Sequence, residues 1–148
     1  MNLKNYTSGV PVDKTIVRIE QAIARFGASH IAKEYNGNGS VVALQFMLTY
    51  EGRQHIVKLP AKPSQVFEAM MADIAKPQRG TKDRIKQQSE RTAWKLMQDW
   101  IEVQLSLIAM RQADVLQVFL PYVWDGERTF YDAIKDKGFK QLTEKSSA

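Results

Sequence analysis

Seven Lys or Arg residues fall within residues 76–95, KPQRGTKDRIKQQSERTAWK, against two carboxylates, Asp83 and Glu90. The chain has 21 basic and 16 acidic residues, so outside this stretch the signs balance at 14 each and the whole formal charge of +5 lies within it. Cationic groups at this density can neutralise phosphates, and Trp94 among them offers a ring on which a base can stack. The chemistry this suggests is electrostatic capture of a phosphate-bearing ligand, either a nucleotide or a nucleic acid. Arg79, Lys82, Arg84, Lys86, Arg91 and Lys95 are the expected phosphate contacts, with Trp94 or Tyr122 as aromatic support. The simpler alternative is a solvated linker beside buried tryptophans. No helix-turn-helix, zinc-finger, RNP or KH signature accompanies the charge, so nothing points to sequence-specific recognition.

Other residue sets that could do chemistry have plainer readings. Asp99 and Glu102 lie three apart on one predicted helix face and could form an acid–base pair or hold Mg2+, as in a metal-dependent hydrolase. Lys95, four residues before Asp99, favours a surface ion-pair lattice instead. His30 and His55 sit on neighbouring predicted strands, with no cysteine in the chain and no carboxylate at metal-ligand spacing. Ser8, Ser29, Ser40 and Thr7 lie in no nucleophile motif. Asn-Gly-Asn-Gly-Ser at 36–40 lacks the Walker arrangement and precedes a strand rather than a helix, so it reads as a hairpin turn. No catalytic residue, metal or cofactor is assigned.

The elements that must position these residues follow from periodicity. Asp13 and Gly27 bracket a first helix with Ile16, Ile19, Ile23 and Phe26 at helical spacing. Turn signals at 36–39 and at Glu51-Gly52 then divide three runs of β-formers, which predicts a three-stranded antiparallel meander. In its middle run Val42, Leu44, Phe46, Leu48 and Tyr50 alternate onto one face, and Val41, Ala43, Gln45, Met47 and Thr49 onto the other. Pro60 and Pro63 close the sheet, and a second helix carries Val66, Phe67, Met70, Met71 and Ile74. Pro77 and Gly80 leave residues 76–82 as an exposed basic loop. A third helix from Asp83 to about Met110 is apolar around much of its circumference, so it is expected at the centre of the fold or between subunits. Its polar stripe, Arg91, Lys95, Gln98, Asp99 and Glu102, begins basic and ends acidic. A short apolar helix ending before Pro121, a turn at Asp125-Gly126 and a last helix stopped by Gly138 make a C-terminal helical hairpin.

Composition bounds the class. With 148 residues, 44% hydrophobic and 25% charged, the chain suits one folded domain that buries roughly 70% of its unfolded surface. The absence of cysteine excludes disulfides, thiolate chemistry and Cys-based zinc sites. No signal-peptide pattern or run of about 18 apolar residues occurs, so a cytoplasmic location without membrane contact is expected.

KNYTSGVPVDKTIVRIEQAIARFGA, the LPA after the meander, ERTAWKLMQDWIEVQLSLI and VFLPYVWDGERTFYDAI, in that order, resemble a family of small uncharacterised phage and prophage proteins over nearly the full chain. In that family the third block usually reads E-R-x-A-W-R-x-x-K-D-W; here Lys95 stands for the second Arg and Gln98 for the Lys. The resemblance implies a genomic setting and a consistent fold, and no activity.

The reading is an α+β fold, a single domain over residues 1–140 with a loose tail at 141–148. A small meander packs on helices around a long central helix. The expected function is non-enzymatic: a phage-type accessory protein that sequesters a phosphate-bearing ligand in counter-defence, with homo-oligomerisation through the spine. The alternatives are a protein-interaction module that captures a host protein and, behind it, the Asp99/Glu102 hydrolase.

Overall fold

A computed structural model of the chain describes residues 3–143. It is α+β, with a four-stranded antiparallel sheet in the order β1 (His30–Tyr35), β2 (Val41–Tyr50), β3 (Arg53–Lys58) and β4 (Val123–Trp124). Helices α1 (Val12–Phe26) and α2 (Pro63–Ala72) both pack against α3 (Thr81–Ala109). After α3 come α4 (Val115–Phe119), a 3-10 turn (Leu120–Tyr122), β4, α5 (Phe130–Asp136) and α6 (Lys140–Thr143). α6 extends over residues 141–143 of the stretch expected to be loose, and residues 144–148 lie outside the described residues.

The core forms where three apolar patterns meet. On α1, Ile16, Ile19 and Ile23 recur at three and four residues and are all buried. Gly27 ends that helix in the left-handed conformation at φ 112°, which spares the Cβ penalty any other residue would meet there. Across the sheet Ile31, Phe46, Val57 and Val123 lie in register on one face. α3 contributes Trp94, Met97, Ile101 and Leu105, and Phe119 of α4 meets Phe46 edge-on at 5.4 Å. Edge-to-face contact aligns the positive ring edge with the negative face of its neighbour.

Two expectations are corrected. The meander gains a fourth strand, because Pro121 stops α4 and the next two residues are the β-formers Val123 and Trp124, which pair with Val57 and Ile56. The same strand interrupts the expected C-terminal helical hairpin. Asp125 then fixes the reversal by accepting the backbone N–H groups of Glu127 and Arg128, each at 2.9 Å.

The alternation on β2 also breaks. Glu34 pairs with Ala43 but Tyr35 pairs with Val41, so Val42 is an extra residue in a β-bulge. Leu44, Phe46 and Leu48 keep the core parity, whereas Val42 is exposed. A bulge re-aims neighbouring side chains, and here Val41 and Val42 both line the same cleft.

Burial along α3 makes a quantitative prediction. Ile101→Ala, at a fully buried site, should cost about 2–4 kcal/mol of unfolding free energy. Val103→Ala, two residues on at 56% exposure, should stay within about 0.5 kcal/mol. Urea denaturation measures both, and equal losses would contradict this orientation of the helix.

Candidate functional site

A cleft of about 590 Å³ opens where the β1–β2 turn, the start of α2 and the start of α3 approach one another. Its apolar floor comes from Val41 and Val42 at the bulge, with Ala61, Pro63 and Phe67. Three lysines border it: Lys62 before α2, and Lys82 and Lys86 one turn apart on α3. Among the described residues none of these three ammonium groups is engaged in a hydrogen bond or ion pair. Asp83 and Glu90 supply the acidic part of the lining.

Local sequence explains the geometry. Pro63 begins α2 with its fixed φ and no N–H to leave unsatisfied. No side chain caps that helix and no acidic residue occupies its first turn, so the partial positive charge of its N-terminus is uncompensated beside the cleft. Gly80, at φ 83°, turns the chain into α3, and Thr81 accepts the backbone N–H of Gln78 at 3.1 Å. On the far wall, Asn36 accepts the N–H groups of Asn38 and Ser40 at 2.9 and 3.0 Å. Asn-Gly-Asn-Gly-Ser is thus a self-bonded hairpin turn whose Asn36 and Ser40 face the cleft.

The eight residues singled out from sequence separate into distinct environments. Lys82 and Lys86 line the cleft. Arg79 and Arg84 are exposed and line none of the described cavities. Arg91 and Lys95 are half-buried and engaged elsewhere. Trp94 is fully buried in the core and has no surface to offer a base. Tyr122 is half-buried and meets Trp100 edge-on at 5.3 Å.

Arg91 and Lys95 belong to a polar track on α3 that binds the N-terminal segment of the same chain. Arg91 donates through Nε to the Ser8 carbonyl at 3.2 Å and through Nη2 to Gln88 at 2.6 Å. Gln88 donates to the carbonyls of Tyr6 and Ser8, and the Thr92 hydroxyl donates to that of Asn5 at 2.8 Å. Asn5 adopts φ 62°, a left-handed conformation that asparagine tolerates, and its amide donates to Asp99 at 2.8 Å. Lys4 and Lys95 each stand 3.4 Å from the Asp99 carboxylate. Side chains thus satisfy backbone carbonyls of a segment with no strand or helix partner of its own.

Asp99 and Glu102 do not form a catalytic pair in this arrangement. Asp99 is committed to the N-terminal segment, and Glu102 accepts a hydrogen bond from Gln98 at 2.9 Å. Among the described residues no group of three or more His, Asp or Glu side chains is placed to hold a metal ion. His30 and His55 lie on strands separated by β2, paired with Met47 and Leu48.

The residues missed from sequence are Lys62, Phe67, Val41 and Val42. Lys62, held between Pro60 and Pro63, is the only one with a visible signal, since prolines on both sides hold a residue in a defined loop. Among the described residues no helix is long and apolar enough to cross a membrane. Comparison with protein-family models, curated proteins and solved structures returns no match.

Burial works against the Asp99 carboxylate, but the Asn5 amide and the Lys95 and Lys4 ammonium groups outweigh it and hold its pKa below the ordinary value. A carboxyl depressed by folding stabilises the native state above its unfolded pKa of about 4, and that contribution fades as pH falls through the lower folded value. Asp99→Asn should therefore lower stability by about 1–2 kcal/mol at neutral pH. The gap to the unmodified protein should close progressively in acid below about pH 4. Melting curves across pH test this; a gap that stays constant to pH 2 would rule it out.

Proposed function

We propose that this chain is a non-enzymatic cytoplasmic binding protein that holds a small phosphate-bearing ligand, a nucleotide, in the cleft between α2, α3 and the β1–β2 turn. The observation that carries this reading is the coincidence of three unpaired lysines with an apolar floor in one cavity of about 590 Å³. Sites for small ligands are commonly clefts of roughly 300–1,000 Å³, mostly apolar with a few placed polar groups. Lys82 and Lys86, with Lys62 and the uncapped start of α2, supply the phosphate end. Val42, Pro63 and Phe67 supply a surface for a base.

This cleft favours a nucleotide over a nucleic-acid strand. Of the six cations expected to track a phosphate backbone, Arg91 and Lys95 are spent on the N-terminal segment, which shortens any continuous basic stripe. The likeness to phage and prophage proteins agrees with a counter-defence role, in which the protein acts by sequestering a nucleotide signal.

Isothermal titration calorimetry with AMP, GMP and their diphosphates at moderate salt tests the reading. Lys82→Glu combined with Lys86→Glu should weaken binding at least about tenfold, equivalent to about 1.4 kcal/mol. Arg79→Glu with Arg84→Glu, outside the cleft, should change it by less than about twofold, because exposed charges are screened in salt. Equal losses from the two pairs would indicate a general polyanion surface instead.

A second reading, a homo-oligomer, has its own observation. Leu96 and Val103 on α3 and Met110 just past its end recur every seventh residue and are exposed, at 38%, 56% and 73%. Such spacing matches the seam of a two-helix contact. If copies associate here, Val103→Asp will reduce the mass measured by light scattering to that of one chain. A single-chain mass before the substitution removes this reading.

A further inference from the structure

We infer that the ligand site extends into a second, adjoining cavity and that the ligand it fits is a dinucleotide with two bases joined through phosphate; this rests on the nucleotide reading of the first cleft. A cavity of about 350 Å³ lies between α1, β1 and α3, and it shares Ser40, Val41 and Glu90 with the 590 Å³ cleft. The three shared residues make the cavities neighbours around the β1–β2 turn, and the two together are the groove that one ligand would span.

Each half carries one aromatic ring accessible to a ligand. Phe67 serves the first half. Tyr35 serves the second, on edge strand β1, with 58% of its surface exposed. Val17 of α1 lines the same cavity and is 48% exposed, so the second half offers an aromatic and an aliphatic surface to a planar group. Trp94 also contributes to that wall but is fully buried, which leaves the Tyr35 ring as the stacking surface.

Charge divides the groove in a compatible way. The three unpaired lysines all belong to the first half. In the second half Lys33 is held 2.9 Å from Glu20, so its ammonium is already neutralised. Glu90, at the junction, is an acceptor that repels a phosphate and receives the amino or imino donors of a base. The groove therefore carries three lysines and Asp83 at one end, Glu90 at its waist and Asp13 in the second half, with an aromatic ring in each half. Stacking tolerates any base and adds per ring, so a ligand with two bases gains what a mononucleotide cannot.

Calorimetric titration at about 0.15 M salt, with AMP, linear pApA and the cyclic dinucleotide of adenosine, distinguishes the possibilities. The expected result is at least one dinucleotide bound about tenfold tighter than AMP. Tyr35→Ala should then bring that dinucleotide to the level of AMP while leaving AMP itself unchanged, and Tyr35→Phe should retain the advantage. Tyr35 is exposed, so these variants keep the core intact, and circular dichroism verifies it. If AMP binds and neither dinucleotide binds tighter, or if Tyr35→Ala leaves the advantage in place, the second subsite is overturned and the single-cleft reading stands. If neither AMP nor either dinucleotide binds, both readings fall.

Discussion

The 29 residues of α3 form one uninterrupted helix about 44 Å long, and α1, α2 and the N-terminal segment are arranged on its faces. A helix advances 100° per residue, so a stretch this long presents several independent stripes at once. One stripe, through Trp94, Met97, Ile101 and Leu105, is buried against α1 and the sheet. Another, through Gln88, Arg91, Thr92 and Asp99, holds the N-terminal segment. A third, Lys82, Lys86 and Glu90, forms one wall of the cleft. Tilting the helix to improve one contact would disturb the other two.

That arrangement separates charges by role. Positive charge concentrated within twenty residues of sequence is distributed around the helix once it coils. Arg91 and Lys95 lie on the face where backbone carbonyls and Asp99 need donors, whereas Lys82 and Lys86 line the cleft beside Asp83 and Glu90 and make no ion pair among the described residues. Leaving cations unpaired beside an apolar floor contributes nothing evident to stability, which makes those two lysines, with Lys62, the informative ones. Because α2, α3 and the β1–β2 turn all border the cleft, its shape depends on how the helices pack rather than on any one loop.

Elements whose signals lie close together in the sequence were legible. The isoleucines of α1, the three long strands with their glycine turns, and the limits of α3 all follow from periodicity and from Pro or Gly within a few residues. β4 was not legible: two residues carry no period, and they become a strand only because β3, some 65 residues earlier, presents an unpaired edge. The bulge at Val42 was hidden for a related reason, since alternation continues through it in the sequence and only the pairing of Tyr35 with Val41 reveals the extra residue.

The candidate site shows the same division. From the sequence alone came the class of fold, the location of the excess charge and the absence of any thiol chemistry, because these depend on composition and on local spacing. Tertiary structure decided which cations remain available, since Arg91 meets a carbonyl 83 residues away and no window of sequence contains both. It also buried Trp94 and brought Lys62 and Phe67 beside Lys82 and Lys86. Each outcome depends on which faces of separate helices meet, and that choice is made by packing, where small differences in buried area outweigh the preferences of any single segment.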